Sequence, residues 1–567
     1  MESNSKLRIA HLAGPNATIQ NTPPLVTSNK ARQMHNLPLL TNPNGSAAKY
    51  DALRPQRLAA PVKVYIEQFS AHPLERDAAE LYAPADGFVD CNGVFHKERR
   101  GAGDKPVYEV ELHPEDGVYP LPYMARQASG QAWEEECASP NAPEDKARQG
   151  FFPDGSRSFS DIDRLSVGAD GRASVISSLA EVDFYRLLPP SGYTKGLPAE
   201  HRTDIGEGDI QPEVRGRDFF PYKPRHLASA PPRPALARVT NIAQQVMASG
   251  KYDGAILTQG SPAVEETAYW LNLLIDTTLP ICGNAAQRPQ GQISNDGPHN
   301  IVDSLIFIGS KVWADEQGRN RAGVVVIQEQ RAFAAREVMK ADARPGGYVA
   351  TGGHGGILGG VNHVGKPTLL YVPAYKHTHL SEVNTSRLPS TTTAVRVGLD
   401  RMETLEIAIK GPGGEILPGA IPSVSIVKDG GYCGEEFGED PALEPDLAFL
   451  VRHKLGLGRL AGFITEGQVP YGSMTSQARQ KHMARAVLSG LPVVRVGRGA
   501  PEGFADGTPI FISGSNLSAT KARLLLMACL MKLGSLPPAR DPDNPTAREL
   551  AAIEAAVQRY QGVFDTH

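Results

Sequence analysis

No apolar run in the 567 residues approaches the ~18 that a membrane-spanning helix needs. The N-terminus, MESNSKLRIAHLAGPNATIQ, lacks a basic segment followed by a long apolar one, so no secretory signal is expected. Basic blocks with interleaved aromatics are absent too, and a formal charge of −4 gives no long-range attraction to nucleic acid or anionic membrane. Neither is expected as a partner. Cysteine is scarce: Cys91, Cys137, Cys282, Cys433 and Cys529 are odd in number, far apart and without a CxxC pair. They read as buried, reduced thiols of a cytoplasmic protein. The signatures HExxH, GxSxG and a post-strand GxGxxG are missing. Gly360 to Pro367 (GVNHVGKP) puts proline where a phosphate loop needs Ser or Thr. His377 and His379 are placed to project from one face of a strand, but no third ligand is recognisable. No metal ion and no cofactor are expected.

What is present describes a globular α/β chain. Apolar content is 41% and charged content 21%, and the length suffices for two or three domains. Leu7 to Leu12 reads as a first strand, followed by the loop AGPNAT. From Lys49 to Pro234 the chain is rich in proline, glycine and charge, with short alternating pieces such as VYEVELH (Val107 to His113) and ASVISSL (Ala173 to Leu179). This predicts a β- and loop-rich insertion, whose aromatic DFFPYKPRH suits a small local core or a pocket wall. Helical and strand patterns then alternate from ALARVTNIAQQVMASG to AGVVVIQ, the signature of βαβ crossovers on a parallel sheet. Residues 373–418 look irregular. A second α/β unit begins at SVSIVK, and a last helix is expected after Asn544-Pro545.

One short stretch combines these signals, DGAILTQGSPAVEET from Asp253 to Thr267. A buried strand ends at Gln259-Gly260, and Ser261 is placed to cap a helix with Pro262 in its first turn and Glu265 and Glu266 in the next. A strand, a glycine turn and a helix N-terminus commonly make a ligand site.

The same stretch, with LPICGNAAQRP, ISNDGPHNI, GVVVIQEQRAFAAREVMKADA, LAGFITEGQVPYGSM and SGSNLSATKARLLLMACL, resembles the bacterial type I/II asparaginase/glutaminase family. The resemblance spans about Val239 to Gly360 and Ser423 to Leu533, with a weaker match at the N-terminus. It implies two asparaginase-like α/β domains with mainly parallel sheets, plus the β/loop-rich insertion in the N-terminal domain, which the family does not account for. The expected divisions are 1–48 (first strand and nucleophile loop), 49–234 (insertion), 235–372 (rest of the N-terminal domain), 373–420 (connector), 421–540 (C-terminal domain) and 541–567 (last helix).

That family hydrolyses a side-chain amide through an acyl-enzyme, and its threonine nucleophile corresponds to Thr18. A hydroxyl needs a base and an oxyanion hole to attack a carbonyl. The family's paired threonine and aspartate at the helix start correspond to Ser261 and Pro262, and its lysine to Lys340. Proline cannot replace a carboxylate, so Glu265 or Asp342 is the substitute acid to look for. Gln259 replaces a histidine. Gly260, Asn284, Asp296 and His354 are the further candidates for binding substrate, with Asn295 to Pro298 shaping the sheet edge. Tyr471 and Ser473 lie in GQVPYGS, the counterpart of a turn that closes a neighbouring subunit's site in the family. The resemblance thus implies a small-molecule amide substrate and a homo-oligomer, dimer or tetramer. Retention of Thr18, Ser261 and Lys340 favours an amidohydrolase, on an amide or cyclic amide other than free asparagine. Loss of the aspartate and of the TGGT motif favours the alternative, a scaffold that only binds a small ligand or partner.

Overall fold

The computed structural model describes residues 6–14, 84–90, 94–112, 175–187, 233–288, 296–351, 354–361, 366–398, 401–430, 444–468, 471–498 and 507–567, residue 440, and short strands within 26–66 and 118–120. Its centre is an eight-stranded sheet. In chain order the strands are β1 (Leu7–Ala13), β2 (Ala180–Arg186), β3 (Gly254–Thr258), β4 (Ile281–Asn284), β5 (Val324–Gln328) and β6 (Arg331–Ala334). A separate hairpin, β7 (Val338–Lys340) and β8 (Tyr348–Ala350), comes before the two edge strands, β9 (Ile357–Gly360) and β10 (Thr368–Leu369). The order across the sheet is β2-β1-β3-β4-β5-β6-β9-β10. Pairing is parallel from β2 through β5 and antiparallel beyond.

The parallel strands read as continuous apolar runs because both of their faces are covered. Ala255, Leu257, Val324 and Val326 pack on one side with helices α2 (Ala235–Ala248) and α3 (Val264–Leu274). Ile256, Cys282, Val325 and Ile327 pack on the other, against α4 (Gly297–Ser310). The first cluster continues without a break into the C-terminal domain. There four parallel strands, β13 (Ser423–Lys428), β14 (Ala461–Gly467), β15 (Val493–Gly497) and β16 (Ile512–Ser513), lie in sequence order. Helices α5 (Pro445–Gly456), α6 (Gln477–Leu488) and α7 (Ala519–Leu533) belong to this unit, and α7 also packs on α3. The mixed α/β class with mainly parallel sheets is therefore as expected.

Three local expectations change. ASVISSL was read as β, but Val175–Leu179 forms a one-turn helix, α1, and the strand that follows it is β2. So residues within the expected insertion complete the central sheet beside β1. The expected connector holds an antiparallel hairpin, β11 (Thr391–Val397) and β12 (Met402–Ala408), and His379 lies in a 3-10 turn rather than a strand. The last helix, α8 (Ala547–Phe564), is capped by Thr546, not Asn544. Thr546 Oγ1 accepts from the Glu549 amide at 3.3 Å while Glu549 Oε2 accepts from the Thr546 amide at 2.8 Å, a reciprocal box that outcompetes an earlier start. Among the described residues no helix is long and apolar enough to cross a membrane.

Candidate active site

The carboxyl ends of β1, β3 and β4 meet at one edge of the sheet. Gly14 donates its amide to Thr258 O at 2.8 Å, and the Gln259 amide donates to Asn284 O at 3.1 Å. The chain then turns: Gly260 O accepts from the amides of Ala263 and Val264 at 3.0 and 3.2 Å. The helix begins at Val264 with Ala263 as its cap residue, so Ser261 does not cap it and Glu265 and Glu266 fall in the first turn. Ser261 is free of that task because its hydroxyl is taken elsewhere. Lys340 Nζ donates to Ser261 Oγ at 2.7 Å.

Two strands supply the grip on Ser261. Lys340 and Tyr348 are direct cross-strand partners in the β7–β8 hairpin, and the Tyr348 hydroxyl donates to Ser261 O at 2.7 Å. Burial pushes the Tyr348 phenol up, with the Glu265 and Asp296 carboxylates adding to the shift, so the hydroxyl stays protonated and donates. The Lys340 amide in turn donates to Glu265 Oε2. Asp342, the other candidate acid, is committed to Arg344, at 2.7 Å from its guanidinium and 2.7 Å from its amide. Of the two, Glu265 is the one bonded to the Lys340 backbone.

The remaining candidates fall into different roles. Asn284 is fully internal: its amide nitrogen reaches Ser304 Oγ at 2.9 Å, Asn300 O at 3.2 Å and Ile327 O at 3.3 Å, tying the sheet to α4. Asp296 is buried and accepts from the amides of Gln287 (2.9 and 3.0 Å) and Arg288 (2.9 Å), which fixes the loop before α4. Gln259 is 6% exposed, and its side-chain oxygen has no hydrogen-bond partner among the described residues. A Cβ at Gly14 would stand 2.8 Å from that oxygen, so a larger residue there would push the Gln259 side chain aside. Tyr471 and Ser473 are exposed in a turn closed by the Gln468 amide on Ser473 O, and within one chain neither bonds to Ser261 or Lys340. Thr18 and the His354 side chain lie outside the described residues.

Sequence reasoning missed two residues. Tyr348 carried no signal, since a three-residue strand does not reveal its register. Lys521, in the KARLLLM run, is 3% exposed and sends Nζ to Glu265 O and Ala335 O, both at 2.6 Å. A lysine just ahead of the apolar LLLMACLM stretch was the available clue.

Beside the loop anchored by Asp296, a cavity of about 430 Å³ is lined by Arg288, Asp296, His299, Asn300, Glu329 and Arg344. Asp303 lies behind it, fully buried, with His299 Nε2 at 3.5 Å. Burial, and then the Glu329 carboxylate, push the Asp303 carboxyl up to about 7 against an ordinary 3.8, while the Gln330 amide opposes them. A raised acid favours folding most when protonated, so its contribution is complete below about 4 and is lost as pH rises through about 7. Asp303→Asn is expected to raise stability by roughly 2–4 kcal/mol at pH 8 and to change little at pH 4. Urea unfolding at both pH values checks this, and an equal effect at both would refute it.

Residues 229–352, which contain Gln259, Ser261, Glu265 and Lys340, match the family model described as "Asparaginase, N-terminal". Over this segment the chain is similar to the asparaginase family. The chain is 31% identical over 155 residues to the glutaminase-asparaginase of Acinetobacter glutaminasificans, covering 27% of this chain and 43% of that protein. It is 31% identical over 138 residues to L-asparaginase 2 of Escherichia coli, covering 24% and 37%. The chain thus spans less than half the length of these relatives. Among solved structures, a probable cytoplasmic L-asparaginase from Campylobacter jejuni aligns over 69% of this chain and 88% of its own, at 20% identity and a TM-score of 0.44.

Proposed function

We propose that the protein is an amidohydrolase that cleaves the C–N bond of a small amide lacking a free α-amino group, through a Thr18 acyl-enzyme. The observation that carries the reading is the 2.7 Å contact of Lys340 Nζ with Ser261 Oγ, a lysine and a hydroxyl held at the carboxyl edge of a parallel sheet. Thr18 Oγ adds to the amide carbonyl and its proton leaves through Ser261 and Lys340 to the departing nitrogen. Ammonia or an amine is released as the ester forms. Water then attacks the ester, yielding the acid and restoring the hydroxyl. Pro262 supports the substrate choice. An aspartate there would offer an ammonium a charge-assisted bond of ~1.5–3 kcal/mol, and proline offers none.

Gln259 fits the same reading, since its side-chain oxygen, without a partner among the described residues, is an acceptor for a substrate N–H. Gln259→Met is expected to raise KM by ~5-fold or more while leaving the thermal midpoint equal or higher, because it deletes a buried, unsatisfied acceptor. A lower midpoint with unchanged KM would make Gln259 structural.

Ammonia release tests the whole proposal. Desamino or N-acylated amides such as succinamate are expected to be turned over, with asparagine and glutamine poor. A kcat/KM for asparagine above ~10⁴ M⁻¹ s⁻¹, ordinary for an enzyme on its own substrate, would overturn the substrate choice. We further propose that the chain works as a homo-oligomer in which Tyr471 and Ser473 of one copy approach the site of another. Sedimentation of the active protein as a monomer at micromolar concentration would refute this.

A further inference from the structure

We propose that Glu265 is the positioning carboxylate of this site and that Lys521, reaching in from the C-terminal domain, supplies its counter-charge. The proposal rests on Ser261 and Lys340 being catalytic machinery, and on two elements that converge on one residue, at its carboxylate and at its backbone carbonyl. From β7, the Lys340 amide donates to Glu265 Oε2. That contact fixes the strand from which Lys340 Nζ reaches Ser261 Oγ at 2.7 Å. From α7, Lys521 Nζ donates to Glu265 O at 2.6 Å.

Lys521 needs an anion. It is 3% exposed, its two hydrogen-bond acceptors are neutral carbonyls, and an ammonium buried without a counter-ion is costly. Three carboxylates act on it: Glu265, Glu266 and Glu337. Glu266 pairs with Arg523 at 2.8 Å and Glu337 with Arg336 at 2.8 Å. Glu265 is the one that no arginine holds among the described residues. The dependence is mutual, because Glu265 is itself half-buried. Burial raises its carboxyl, opposed first by Lys521, then by the Lys340 amide bond and the Lys340 charge, with Glu266 acting the other way. Burial likewise lowers the Lys521 ammonium to about 8, with Arg336 adding to the shift. Glu265 thus has its counter-charge only below that pH. The seating of α7 against α3 therefore sets the charge beside Lys340, in a site where Pro262 supplies none.

The Lys340 amide proton reports this contact without any substrate. With the full-length protein labelled on lysine nitrogen, its resonance is assigned by its loss in Lys340→Arg. Two inflections are expected in its chemical shift, an acid one from Glu265 and one near pH 8 from Lys521. Glu265→Gln should abolish the acid inflection, and Lys521→Met should move it up by one pH unit or more. Should Lys521→Met fail to fold, the inflection near pH 8 in the unmodified protein decides the same point. An acid inflection that survives Glu265→Gln, or a Lys340 resonance flat across pH 8, would overturn the assignment. In turnover of succinamate, Glu265→Gln should lower kcat ~10-fold with KM within twofold, and Glu265→Asp should recover part of the loss. If the unmodified protein turns over no amide, the titration still decides this inference, while the proposed function fails alone.

Discussion

Replacing Thr18 with valine is expected to lower amide turnover by ~10³-fold or more, with fold and ligand affinity nearly intact. Valine keeps the β-branched shape and removes only the hydroxyl that forms the ester. The strand leading to this loop is well fixed. β1 lies between β2 and β3, and Gly14 is held on Thr258 O, two residues short of Gly260 and the turn that presents Ser261. Initial rates of ammonia release and a thermal melt of the variant check both halves. Ordinary rates in Thr18→Val would move the nucleophile to Ser261, whose hydroxyl already has a lysine within bonding distance.

Lys340→Met should cost ~10²-fold or more in kcat, the usual contribution of a positioned proton carrier. Methionine preserves the length and packing of the stem, and the backbone amide that meets Glu265 is untouched, so the hairpin and the helix start keep their geometry. The loss is then one of proton transfer from Ser261, not of site architecture. Steady-state kinetics with the thermal midpoint as control measure it. A cost below tenfold would leave Lys340 as a structural tether of Ser261.

The parallel core was legible in the sequence because strands buried on both faces leave unbroken apolar runs such as VVVIQ and GAILT. The hairpin at 391–408 was not. Its strands, TTTAVRV and METLEIA, are largely half-buried or exposed, and their period of two was lost among threonines and charges. Ser261, Lys340 and Gln259 were singled out through the resemblance, and the fold brings Lys340 Nζ onto Ser261 Oγ. Whether Glu265 or Asp342 stood in for the missing carboxylate turned on one neighbour, Arg344, which claims Asp342. The Tyr348 and Lys521 contacts depend on strand register and on domain packing, and neither leaves a local pattern. Asn284 and Asp296 came with the resemblance as substrate contacts, and in the fold both also make internal hydrogen bonds, Asn284 to Ser304 and Asp296 from the Gln287 amide.

The place of β1 in the sheet governs how the chain reaches its native state. Its partners are remote: Leu7 pairs with Ala180 and Ile9 with Gly254. Synthesis at roughly 5–20 residues per second brings Gly254 off the ribosome on the order of 12–50 s after Ile9. Until β2 and then β3 emerge, an apolar strand made for the middle of a sheet has an open edge, the condition that favours aggregation. Closing so long a loop also slows refolding from denaturant, and makes its yield fall as protein concentration rises. A nascent chain ending before β3 cannot complete the pairing of β1, so the β1 amides that bond to β3 should gain protection from exchange only in chains extended past Thr258.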